Sequence, residues 1–316
     1  MKRIVLFLKT WSEYIGFLGV RLVARGLSFR VAGAIGQFLG GAVYRFTAIR
    51  KRVTMENLEK AFPEKTGSEL QLIALGAFRN YGRAIFEMFW SWGAAPERFE
   101  RIIHPVNPEV ARAARQRGRG LIFLSAHFGS WELLLPGFLV SLGWSISAIV
   151  QRQRNKKIDA IVDRNRSRFE VRTVAMGQSV REVLKCLKEK NVLLLLGDQS
   201  GSKESVYIPF FGRPAATHRG AAAFALKTGA PLVMALLIRR EDGGYDFQFE
   251  EVVYADLREY TEENIVELTR RHAAVLERYV RRYPDHWLWM HKRWKHTPYY
   301  EEKLKERRQE ADGTPA

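Results

Sequence analysis

The chain has 316 residues, 47% of them hydrophobic, enough for one large α/β unit or two modest ones with a substantial core, which excludes a disordered chain. Fifty-one Lys and Arg against 34 Asp and Glu give a formal charge of +17. That excess points to an anionic partner: nucleic acid, a membrane surface, a phosphorylated substrate or an acidic carrier protein.

The first 53 residues hold ten Lys or Arg and one acid, Glu13. Their apolar text has no small-residue cleavage site after "IVLFL", unlike an export signal. Arg21, Arg25 and Arg30 interrupt it, and the uncharged stretch "VAGAIGQFLGGAVY" falls short of the ~20 residues that cross a bilayer. Trp11, Tyr14, Phe17 and Leu18 supply an apolar side. Arginines that snorkel beside such residues suit a helix or helical hairpin in the lipid interface, with residues 1–48 as a membrane-associated segment. A helix pair packed on the domain itself is the alternative. Residues 45–99 read as a helical arm, apolar at threes and fours, broken at "FPEKTG".

From about residue 119 the text changes. "LIFLSA" (121–126), "SISAIV" (145–150), "VLLLLG" (192–197) and "PLVMALLI" (231–238) predict short buried strands, and "DFQFEEVVY" (246–254) a further one. Helical stretches separate them at 131–142, 156–169, 179–189 and 216–228. This alternation predicts an α/β core with helices on both faces of the sheet. The only cysteine, Cys186, lies in the helical text "SVREVLKCLKEK" and reads as a small buried residue; one cysteine excludes a disulfide framework or a multi-cysteine zinc module. "TEENIVELTRRHAAVLERYVRRYP" predicts a long amphipathic helix ended by Pro284. The charged text from 301 to 316 reads as a frayed, disordered tail.

"SAHFGSWE" follows the first strand and carries the candidate chemistry. His127 falls in a strand-to-helix turn at the carboxyl edge of the sheet, where open α/β folds place ligands. Gly129 permits the turn, Ser130 is a candidate N-cap, and Pro136 is expected to shorten or kink the helix. The turn can fold His127 onto Glu132, leaving one imidazole nitrogen free as a base. A structural histidine satisfied by a local carboxylate fits the spacing equally. No G-x-S-x-G or H-E-x-x-H occurs, so a serine nucleophile and a zinc site are poorly supported.

"AHFGSWE" resembles the H-x-x-x-x-(D/E) signature of the lysophospholipid acyltransferase superfamily, in the form of the bacterial lipid A late acyltransferases. "NLEKAFPE" (57–64), "GDQS" (197–200), "IPFFGRPAATHRG" (208–220) and "HWLWMHKRWK" (286–295) fit the same family in order. The resemblance implies a glycerolipid-acyltransferase-like fold, a mixed central sheet flanked by helices, with residues 49–300 as the acyltransferase domain. It implies transfer of an acyl group from acyl carrier protein, or coenzyme A, to a hydroxyl of a lipid A precursor, at the cytoplasmic face of the inner membrane. His127 would be the general base and Glu132 its partner, with no metal or resident cofactor.

The later motifs also read physically. Asp198, ending a buried-strand pattern, is expected on the same sheet edge as His127, to orient it in place of Glu132, to bind the acceptor with Gln199, or to cap a loop. Phe210 and Phe211 are either walls of an acyl-chain groove or ordinary core. Arg213 is a candidate acceptor contact, and Thr217 a candidate N-cap. Among the basic residues of 152–168, Arg164 is the candidate for a buried arginine that binds phosphate or the thioester oxyanion; a solvated basic face accounts for the rest. Trp287, Trp289 and Trp294 among basic residues suit a nucleic-acid groove or a bilayer anchor. The accompanying motifs favour the anchor and no nucleic acid. A glycolipid such as a phosphatidylinositol mannoside remains an alternative acceptor, and a non-enzymatic basic protein an alternative class.

Overall fold

The computed structural model describes residues 2–177 and 179–311. It opens with four helices. α1 (Lys2–Gly26) and α2 (Phe29–Phe46) each pack on the fourth, and α3 (Lys51–Ala61) and α4 (Gly67–Ser91) follow them. The predicted break at "FPEKTG" is the turn before α4, where Thr66 and Glu69 form a reciprocal capping box. Two of the glycines in "GAIGQFLGG" explain the packing of α2 on α4. A Cβ on Gly36 would lie 2.4 Å from the Gly82 carbonyl oxygen, and one on Gly40 would lie 2.1 Å from that of Phe78. The two backbones therefore touch, as only glycine permits.

The α/β part follows as α5 (Glu97–Glu100), β1 (Ile103–Pro105), α6 (Pro108–Gln116), β2 (Leu121–Ser125), α7 (Leu134–Leu142), β3 (Ile146–Val150), α8 (Lys156–Ser167), β4 (Val171–Ala175), α9 (Ser179–Lys188) and β5 (Val192–Leu196). A hairpin, β6 (Val206–Phe210) and β7 (Arg213–Thr217), leads to α10 (Gly220–Thr228), β8 (Leu232–Arg239) and β9 (Tyr245–Glu251). The chain ends in α11 (Glu262–Arg282) and α12 (Thr297–Ala311).

Seven strands form one mixed sheet in the order β1-β9-β8-β2-β5-β3-β4. β2, β5, β3, β4 and β8 run parallel, β9 is antiparallel to β8, and β1 runs with β9. Every residue of β2 is buried. Leu121 and Phe123 enter the core on one face of the sheet, Ile122 and Leu124 the core on the other. Burial of each contributes roughly 1.5–3 kcal/mol, which is why a continuous apolar run, not an alternating one, marks this central strand.

The five strands expected from the sequence are present. β1 has only three residues and β4 carries exposed and half-buried positions; the helix expected over 216–228 is present as α10, but residues 216 and 217 end β7 instead. Thr217 ends a strand and donates to Ala215 O instead of capping α10. Pro136 sits in the first turn of α7, where its missing N–H breaks no helical bond. Pro284 follows the end of α11, and Cys186 is buried. Residues 301–311 continue as helix α12, contrary to the expected frayed tail; 312–316 lie outside the described residues.

Candidate active site

The site is built by strand register. β2 and β5 are parallel neighbours paired from Leu121↔Val192 to Ser125↔Leu196. Gly197 N donates to Ser125 O at 3.0 Å, so the two chains leave the sheet side by side. Two residues beyond the paired ends, His127 stands opposite Asp198. Asp198 Oδ1 lies 2.9 Å from His127 Nδ1, and its Oδ2 accepts from His127 N at 3.1 Å and from Trp287 Nε1 at 3.0 Å.

Gly129 holds the turn open for this geometry. Its φ is +55°, and a Cβ there would stand 2.5 Å from Leu237 O. The 287–288 segment clamps the turn from outside: Phe128 bridges Trp287, and Leu288 N donates to His127 O at 3.1 Å.

The pair has a defined protonation. Burial opposes the charged imidazolium, but the Asp198 carboxylate, reinforced by Glu132, outweighs it and holds His127 above the ordinary histidine range. Burial also opposes the Asp198 anion, yet the His127 charge and three hydrogen bonds keep its carboxyl below the ordinary range. An ionised carboxylate only accepts, so the neutral ring carries its proton on Nδ1 and a lone pair on Nε2. The Gln199 amide nitrogen lies 3.4 Å from Nε2. The Trp131 ring packs beside the imidazole, centroids 5.3 Å apart, and Tyr81 stacks on Trp131.

Gln199 also lines a groove of about 460 Å³ that runs between α2 and α4. Its walls are mainly apolar: Leu39, Val43, Phe78, Ile85, Leu288 and Met290. Arg50, Tyr81 and His291 supply the polar lining. Burial, with Lys295 and Arg293, pulls His291 down to about 4 despite Asp198, so this ring is neutral; its Nε2 accepts from Ser200 N at 3.0 Å.

A histidine with its Nδ1 held by a carboxylate thus stands beside an apolar groove. The model of the bacterial lipid A biosynthesis acyltransferase family matches residues 1–296 of the chain. The chain belongs to this family. It is similar to the lipid A biosynthesis palmitoleoyltransferase of Escherichia coli K12, at 25% identity over 298 residues covering 93% of this chain and 94% of that protein. The lipid A biosynthesis lauroyltransferase of the same organism is 25% identical over 291 residues, 91% and 92% of the two chains. A Shigella flexneri lipid A biosynthesis acyltransferase is 25% identical over 298 residues, 93% and 94%. The protein is thus an O-acyltransferase.

In this acyltransferase several expected site residues stand elsewhere than the sequence suggests. Glu132 does not meet the His127 ring; it receives a 2.7 Å bond from Arg166 Nη2 and influences His127 only through its charge. The turn of residues 131–133 carries the carboxylate toward α8, whereas Asp198 is already aligned by the strand ladder. Ser130 caps no helix, and its Oγ is buried. Arg164 is exposed; Arg166, two positions on, faces the site edge. Phe210 and Phe211 are buried core, packed on Trp287, Trp289 and Trp294, and the groove is walled by α2 and α4 instead. Arg213 sits at the turn end of the hairpin, four residues before the Thr217–Ser200 bridge, and donates to Lys60 O. The three tryptophans of "HWLWMHKRWK" are buried, so they anchor the site, not a bilayer.

Sequence reasoning missed Trp287 as the indole that fixes Asp198, and α2–α4 as the groove. Trp287 had a legible signal, its place in a motif shared with the family. The groove had none, because its walls come together only in three dimensions.

Proposed function

We propose that this chain moves a fatty acyl group from an acyl-carrier-protein thioester to a hydroxyl of a lipid A precursor, with His127 as general base. The observation that carries the reading is the Asp198–His127 pair beside the apolar groove. Nδ1 is held by a buried carboxylate while Nε2 lies against Gln199, a groove residue. His127 takes the hydroxyl proton on Nε2, the oxygen attacks the thioester carbonyl, and the tetrahedral oxyanion collapses with cleavage of the C–S bond. The sulfur leaves with the proton returned by His127. The Gln199 amide is the side-chain donor best placed to meet the oxyanion. Among the described residues no serine or cysteine is hydrogen-bonded to the His127 ring, which supports direct transfer without an acyl-enzyme. The groove suits the acyl chain.

We also place the reaction at the cytoplasmic face of the inner membrane. Among the described residues no helix is long and apolar enough to cross a bilayer. Yet α1 and α2 expose Leu22, Phe38 and Phe46, each about three-quarters accessible, beside Arg25, Arg30 and Arg45. An apolar surface rimmed by arginine fits helices lying in the lipid interface.

The test is mass analysis of products from the full chain, acyl-carrier-protein thioesters and a defined lipid A precursor. His127→Ala is expected to stay folded and to lose about 10²–10⁴ in rate. Full activity in a folded His127→Ala protein would remove the mechanism. Product only from coenzyme A thioesters, or only on another glycolipid such as a phosphatidylinositol mannoside, would replace the donor or the acceptor.

A further inference from the structure

Asp198 also lines a small cavity of about 10 Å³ that shares no lining residue with the groove, the size of a single water site. Asp198, Thr217, His272 and Arg293 supply its polar wall. Arg293 is 2% exposed. Its Nη1 and Nη2 donate to Ala216 O and Thr217 Oγ1, both at 2.6 Å. Its Nε and His272 Nε2 are buried and, among the described residues, have no hydrogen-bond partner. No carboxylate forms an ion pair with Arg293 among the described residues; the acid whose charge reaches it is Asp198.

A buried guanidinium with an unused N–H is costly unless something accepts from it. Burial and the Arg293 charge pull His272 down to about 3, so that ring is neutral and can accept at Nε2 if its proton sits on Nδ1. Asp198, with three donors already, has a lone-pair site left. One water in the cavity can accept from Arg293 and donate to His272 and Asp198.

We propose that this cavity is a one-water site through which Arg293, with His272 as neutral partner, acts on the His127–Asp198 pair as a positioning residue that keeps the imidazole ready to release its proton. Asp198 alone makes His127 a stronger base but also keeps it protonated, and therefore idle, over more of the neutral range. The Arg293 cation offsets that pull. The inference rests on the reading of His127 as general base.

Other charged groups near the pair do not supply this effect. Glu132 reinforces Asp198 and is itself paired with Arg166. His291 on the groove side is neutral, and so is His218, pulled down by burial and by Arg293 and Lys295. Lys295 reaches both these rings. Across the groove, burial pushes the Tyr81 hydroxyl up, so it is uncharged.

The pH dependence of kcat/KM for the full chain tests this. Removing the charge in Arg293→Met should move the acidic limb up by about one pH unit, and Arg293→Lys should restore it toward its original position. An unmoved limb, or one displaced downward, in a folded Arg293→Met protein overturns the proposal, because a merely structural arginine would lower activity at all pH values alike. A high-resolution crystal structure of the unaltered chain gives a second test that needs no variant. One ordered water between Arg293 Nε, His272 Nε2 and Asp198 is expected, and a dry cavity overturns the proposal. If the unaltered chain transfers no acyl group, the general-base reading fails instead, and the His127 ring titration, followed by NMR in the unaltered and Arg293→Met chains, decides the charge coupling by the same upward shift.

Discussion

The β2–β5 edge and the helices α1 and α2 are held by opposite means. At the edge, two buried strands paired residue for residue deliver His127 and Asp198 to facing positions, and the chemistry inherits the precision of the ladder. The two helices reach the domain through glycines on α2 and through Phe17 and Ala24 of α1, which pack by Phe89 and Trp92, and leave much of their apolar surface outside. On the proposed reading, a reacting pair needs fixed distances, whereas a lipid-facing surface needs only its composition. The groove is walled by α2 and α4 and takes Gln199 from beyond β5 into its lining, so the comparison can be tested from either side.

The largest effect is expected from Asp198→Asn. Asp198 Oδ2 accepts two N–H donors, from His127 N and Trp287 Nε1, and Oδ1 one. An asparagine satisfies the pair of donors by placing its carbonyl oxygen there, which turns its NH₂ toward Nδ1. The imidazole is then driven to carry its proton on Nε2, the wrong nitrogen for a base. The rate should fall by about 10²–10⁴, as when a general base is lost. The pH profile adds a sign. Since Asp198 raises the His127 pKa, wild-type kcat/KM falls as pH drops through that raised value, and removing the carboxylate should move the limb of any residual activity to lower pH. A limb that stays in place would mean that Asp198 does not set the base.

Next in size is the glycine contact. A Cβ on Gly82 would come within 2.2 Å of Gly36 O, so Gly82→Val must push α2 off α4. Overpacking of this kind costs about 1–3 kcal/mol, read as a lower thermal midpoint, and it should raise KM for the acyl donor because the groove widens. An unchanged midpoint would show that the two helices are not clamped as described.

The outer face of α1 and α2 should give a smaller, separate effect. Leu22, Phe38 and Phe46 are exposed, so replacing all three with Asn should leave the fold intact. Binding to anionic vesicles should weaken by about tenfold or more, since even partial insertion of a Leu or Phe contributes on the order of 1 kcal/mol. Undiminished co-sedimentation would move the membrane contact to another surface. Deleting residues 1–44 is a poorer experiment than the sequence suggests, because Leu39 and Val43 also wall the groove.

What the sequence made legible follows the same division. The central strands could be read because a strand buried on both faces is a continuous apolar run, and their carboxyl ends pointed to His127 and Asp198 together. The choice between Asp198 and Glu132 could not be read, because it depends on the pairing of β2 with β5, and register between strands 70 residues apart leaves no local trace. Arg164 and Arg166 differ by two positions on a helix, about 200° of rotation, so choosing the wrong one reverses the face. The buried tryptophans of 287–294 were misread for a related reason: their basic neighbours look like an interface, but the rings point inward to Phe210, Phe211 and Asp198.

The smallest expected effect is also the sharpest between the two carboxylates. Glu132 and Asp198 both raise the His127 pKa, but Asp198 does so by charge and hydrogen bond, Glu132 by charge alone and while neutralised in part by Arg166. In Glu132→Gln the acidic limb of kcat/KM should therefore move to lower pH by less than in Asp198→Asn. An equal or larger displacement would show that Glu132 turns from Arg166 to the imidazole during turnover, giving the H-x-x-x-x-E spacing the role its sequence suggests. An unmoved limb with only KM for the acceptor raised would instead mark Glu132 as the residue that holds Arg166 for substrate.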